Sequence, residues 1–298
     1  MEWWCAATEQ AWDWTPRPYL GSWLFTLVTL SAYALAWVRL APPAPSAEAR
    51  RRRRRQVVSF VLGVLVFHAS VDWPIGTLGA GYLASVGMLR FILITLLAAP
   101  LILRGTPVWL ARRLLPEGRV RDTARLLARG LPALLIFNVV LVVTKSPAFT
   151  DPLLATQVGA MAMDLAWLAA GLVLWMPVLS PLPEIPRLAP PVAMAYLFAQ
   201  SIIPTIPASF LTFAEFPLYE TYELAPRVGD IDPTMDQRNA GLIMKIGGGI
   251  FLWARIAALW FRWAASQERP DEVAPPDAVF EDALDELGMR EAEAEGEG

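Results

Sequence analysis

Four ionisable residues fall inside or at the edge of apolar stretches: Asp72, Arg90, Asp164 and Lys245. Arg90 poses the question most sharply, because it sits near the start of VGMLRFILITLLAAPLILRGTP, residues 86–107, a stretch apolar enough to lie in a bilayer. Ionised groups in hydrocarbon are costly, so they turn toward the bundle interior or water and pair. Two acids and two bases at similar depth leave two readings. They form a buried network of ion pairs that fixes helix packing, or they line a site for an ion or a metal.

His68 is the single histidine and stands four residues before Asp72, on the same helix face. It is a candidate polar partner for that carboxylate, either as a relay or as a side chain satisfied by it. One histidine cannot build a histidine-type copper site. Met88 and Met163 carry thioethers that suit Cu(I), although methionine in such helices also serves packing. Cys5 stands alone, so there is no disulfide framework and no CxxC motif. No nucleophile with a base, phosphate loop or ligand cluster is evident, and the chain is not expected to be an enzyme.

The elements that must position these residues follow from composition. Of 298 residues 55% are hydrophobic and 18% charged, with the apolar ones gathered in long blocks between Arg-rich or Pro-rich breaks. This predicts an all-α polytopic membrane protein. A hydrocarbon core of ~30 Å takes ~20 helical residues. Seven blocks are long enough to cross it, at about 21–40, 56–73, 86–104, 130–146, 157–179, 190–213 and 240–263, the second and fourth being short, so a bundle of seven transmembrane helices is expected. Helix is the expected state because backbone amides in lipid must pair within their own segment.

Arginines orient the bundle. Arg50 to Arg55 follow the first block without interruption, and Arg104, Arg112, Arg113, Arg119, Arg121, Arg125 and Arg129 follow the third. Both loops are expected in the cytoplasm, which places the N-terminus outside and the C-terminus inside. The run at 50–55 abuts a transmembrane block, so it reads as a topology signal that attracts anionic membrane lipid and not as a nucleic-acid patch. Residues 108–130 alternate apolar and basic residues at helical spacing, as an amphipathic helix on the inner surface does. The organisation expected is an external N-terminal segment at 1–20, a membrane domain at 21–263 and an acidic, mostly disordered cytoplasmic tail at 264–298. The outer loop from Ala214 to Asn239 carries Glu215, Glu220, Glu223, Asp230, Asp232 and Asp236 together with Tyr219 and Tyr222, and is expected to be ordered against the bundle mouth or a partner.

The segment DWPIGTLGAGYLASVGMLRFILITLLAAPLILRGTP, residues 72–107, resembles the signature of the caa3-type CtaG family of cytochrome c oxidase assembly proteins. LAAGLVLWMPVL (168–179) resembles that family's fifth-helix end, and DQRNAGLIMK (236–245) the entry to its last helix. The resemblance runs over about residues 20–263 and implies a membrane protein associated with oxidase assembly and its copper supply. At the two histidine positions of the family's third helix, however, this chain has Gly87 and Phe91. The Glu-His pair of the fifth helix falls on Met163 and Asp164. Gly and Phe supply no donor atom. A salt bridge between Arg90 and Asp164 could then join the two helices that a metal otherwise joins.

Two function classes follow. In the first, the chain is an assembly factor or scaffold for cytochrome c oxidase or a related redox complex, with copper as a possible cargo. In the second, it is a structural accessory subunit of a respiratory or photosynthetic membrane complex without metal binding. Haem-copper oxidase or other redox-complex subunits are the partners implied, and the bacterial plasma (inner) membrane the location. A transporter would show internal repeats or paired broken helices, and none is seen.

Overall fold

The computed structural model describes residues 2–267, all helix and connecting segments with no strand among them. Its main helices are the first span Leu20–Leu40, the second Ala47–Val71, the third Ala84–Gly105, the fifth Gln157–Leu179, the sixth Pro190–Phe213 and the last Pro233–Gln267. These six are long and apolar enough to cross a membrane. A seventh follows if Arg119–Leu127 and Gly130–Lys145, bent by 81° at their junction, count together as one span. Gly130–Lys145, the expected fourth helix, has 16 residues. At 1.5 Å per residue it falls short of a ~30 Å hydrocarbon core by itself.

Helix starts follow local chemistry. The second span begins well before residue 56 because Ser46 accepts a hydrogen bond from the Ala49 amide, with Glu48 in the first turn, so the whole arginine run is helical. Thr156 caps the fifth span in the same way, accepting from Gly159 N at 3.0 Å. The basic stretch at 108–130 forms two short helices, Val108–Leu114 and Arg119–Leu127, and not one. Pro116 and Gly118 separate them, and Gly118 has φ +99°. The chain divides into two units, residues 1–256 and 257–298. Residues 264–267 continue the last helix, and the rest of the acidic tail lies outside the described residues.

The third span is the packing centre. It meets the second span on one side and the fifth on the other, and its middle, Leu93–Ala98, is a π-helical turn. Small residues let the neighbours approach: a methyl added at Gly171 would lie 2.9 Å from both Ala99 Cβ and Thr95 O. Polar side chains then tie helix to helix. Trp175 Nε1 donates to Thr95 O at 3.1 Å, Trp167 Nε1 to Thr144 Oγ1 at 2.8 Å, Asn138 Nδ2 to Gln200 Oε1 at 2.8 Å, and Tyr33 Oη to Gly105 O at 2.8 Å. In lipid such bonds between helices contribute about 0.6 kcal/mol each on average.

Gly171→Val should therefore force the third and fifth spans apart and cost about 1–3 kcal/mol by overpacking. A thermal unfolding midpoint equal to that of the unchanged protein in detergent would refute this contact.

Candidate functional site

At one end of the bundle the N-terminal segment, the connection before the last helix and the first turn of that helix converge on the start of the third span. Its N-terminus is held by Asp236, whose carboxylate accepts from the amides of Ala84 and Ser85 and from the Ser85 hydroxyl. This satisfies N-terminal amides that no preceding turn can reach. Tyr222 Oη donates to Gly79 O at 2.8 Å and Tyr219 Oη to Lys145 O at 2.8 Å, so the loop of residues 214–239 is packed against this end. Burial pushes the Tyr222 hydroxyl well above the usual phenol range, which keeps it a proton donor.

Beneath that cover Arg90 meets Asp164. Arg90 Nη2 and Asp164 Oδ2 form an ion pair between the third and fifth spans, and neither residue is exposed at all. The same Oδ2 accepts a 2.8 Å hydrogen bond from Trp4 Nε1. Trp4 is 1% exposed and comes from the N-terminal segment, which crosses the bundle end: Trp3 N donates to Gln157 Oε1 at 2.9 Å and Ala7 N to Leu154 O at 2.8 Å. Cys5, next in the chain, donates its thiol to Val71 O at 3.1 Å, and burial raises its pKa to about 12. A thiol so protonated is a poor nucleophile and a poor metal ligand.

Of the four charges that the sequence places at similar depth, these two alone form an ion pair with each other. Asp72 belongs to a separate cluster, where Oδ1 accepts from Tyr19 N at 3.0 Å and Oδ2 lies 3.5 Å from His68 Nε2. His68 Nδ1 lies 3.1 Å from Thr26 Oγ1, so both ring nitrogens face polar partners and the ring ties the first span to the second. Lys245 is exposed and makes no ion pair among the described residues. The single four-member network is thereby corrected, because Asp72, at the end of the second helix, is taken up by Tyr19 and His68, and Lys245 lies on an exposed face of the last helix. The base that sequence reasoning missed is Lys145. Its ammonium lies 4.2 Å from the Trp167 ring centroid and 5.1 Å from that of Phe91, while Arg90 Cζ lies 5.9 Å from the same Trp167 ring. Its signal was a lysine closing an apolar block at the end where Arg90 and Asp164 lie. Trp4, 160 residues from Asp164, carried no local signal.

The residues present do not suit a histidine copper site. At position 87 even a methyl would lie 2.8 Å from Gly79 O and from Tyr222 Oη, so there is no room for an imidazole. Asp164 Oδ2 is already engaged, and no group of three His, Cys, Asp or Glu side chains suited to a metal occurs among the described residues. Met88 and Met163 are each 2% exposed and belong to the core.

Comparison with known proteins gives one match. The family model described as cytochrome c oxidase caa3 assembly factor matches residues 20–266, which contain the whole helical bundle and omit the segment that supplies Trp4. No curated protein and no solved structure matches the chain.

If the Arg90–Asp164 pair fixes the third span against the fifth, Arg90→Met or Asp164→Leu alone should strand a buried charge and cost about 3–5 kcal/mol. The double variant removes both desolvation costs and should recover much of that loss. Membrane abundance of the three variants checks this, and a double variant no more abundant than either single one would contradict it.

Proposed function

This chain belongs to the cytochrome c oxidase caa3 assembly factor family, and from that premise we propose that it serves oxidase assembly as a protein scaffold in the bacterial inner membrane. In this reading it holds an oxidase subunit through its helices and outer loops, and it does not pass copper along a histidine site. The observation that carries the reading is the buried Arg90–Asp164 pair, which bridges the third and fifth spans close to where the family motif has metal-binding residues. The pair locks two helices together, and a single carboxylate beside two cations is too poor a ligand set for a metal. Gly87 and Phe91 add no donor, and the space beside Gly87 is filled by Tyr222 and backbone. No reaction is assigned to the chain, since its buried polar groups are arranged to hold helices.

The scaffold is tested in cells lacking the chain. Membranes should lose assembled oxidase and its activity, and the unchanged chain should restore both. The Arg90→Met, Asp164→Leu double variant should restore them as well, in proportion to its abundance. Protein purified from copper-replete cells should hold no stoichiometric copper. Copper bound one to one, and lost on Met88→Leu or Met163→Leu, would overturn the scaffold in favour of metal transfer. Oxidase that assembles normally without the chain would overturn the assembly role altogether.

A further inference from the structure

The cluster around Arg90 has more hydrogen-bond donors than acceptors. Arg90 is fully buried, yet its Nε and Nη1 have no partner, and Nη2 alone reaches Asp164. Those two nitrogens carry three N–H groups in a guanidinium that cannot lose its proton. The Lys145 ammonium faces the rings of Trp167 and Phe91 and makes no hydrogen bond or ion pair among the described residues. Against these donors stands one open acceptor, Asp164 Oδ1. The charges are unequal too, with two bases facing one acid.

Two orphaned nitrogens on a fully buried guanidinium call for a bound species, because buried polar groups in folded proteins are otherwise satisfied. Water can fill hydrogen bonds but leaves the excess positive charge in a low-dielectric interior. The aromatic faces offset part of that charge and accept none of the guanidinium hydrogens. An acceptor-only, singly charged species answers both deficits. Arg90 and Asp164 are 0% exposed, Trp4 1% and Trp167 2%, while Lys145 is half-buried at the edge of the cluster, which leaves room for a small species only. We propose that Arg90 and Lys145 hold one small inorganic anion of chloride size, bound between them beneath Trp4 and Tyr222. This site is independent of whether the chain assembles an oxidase, since it concerns what neutralises the bundle interior.

The test uses the full chain purified in detergent. Exchanging sodium gluconate for sodium chloride at constant ionic strength should raise the thermal midpoint saturably, by several degrees, because a ligand bound only to the folded state stabilises it. Equilibrium binding of radiolabelled chloride should reach one ion per chain. Lys145→Met, which leaves the Arg90–Asp164 pair in place, should weaken chloride binding at least tenfold. Equal midpoints in the two salts together with no bound chloride would mean that water alone fills the cluster, and would overturn the proposal. Chloride binding of the same strength in a folded Lys145→Met protein would overturn it as well. If that variant fails to fold, the two measurements on the unchanged chain decide.

Discussion

Placing an arginine where no water reaches it is the constraint around which this bundle is arranged. A guanidinium in a membrane interior is tolerable when a carboxylate meets it and its surroundings exclude lipid. Asp164 meets that demand from the fifth span, which must therefore hold a fixed rotation and depth relative to the third. Gly171 and Thr95 allow the close approach, and Trp175 and Trp167 hydrogen-bond the fifth span to its two neighbours. The wide π turn at Leu93–Ala98 follows directly after the charged segment, as such turns often do at functional positions.

Covering the pair takes residues from far along the chain. Trp4 bonds the same carboxylate oxygen as Arg90, Tyr222 fills the space beside Gly87, and Asp236 holds the helix start that carries Arg90. These three positions come from the N-terminal segment, the 214–239 loop and the start of the last helix. The segments that connect the spans at this end are thus part of the packed bundle. The second cluster, Asp72 with His68 and Tyr19, anchors the first span to the second by the same means: a carboxylate satisfied by a backbone amide and a ring.

The chain belongs to a family of oxidase assembly factors, and its third and fifth spans are joined by a salt bridge. The resemblance implies imidazoles that bridge two helices through a metal, and in this chain the third and fifth spans are bridged by Arg90 and Asp164. Both devices fix helix geometry, but an ion pair with one carboxylate holds no metal. A scaffold that orders a partner subunit needs the first property and can do without the second.

Long apolar blocks and their arginine-rich breaks were enough to specify an all-helical membrane chain and nearly every helix position, because hydrogen bonding in lipid forces each spanning segment into helix. The fifth block was read at the same limits the structure shows, Gln157–Leu179. Arg90 and Asp164 were legible as partners because few groups of opposite charge share that depth. Sequence could not say which face of the last helix Lys245 occupies, since helices apolar on every side carry no stripe to orient them, nor that Asp72 closes the second helix against Tyr19. Nor could it place Lys145 over Trp167 or Trp4 on Asp164, because those contacts depend on the rotation of whole helices and on a non-helical segment crossing the bundle end. Such contacts exist only once the chain is packed, and packing alone decided what surrounds the buried arginine.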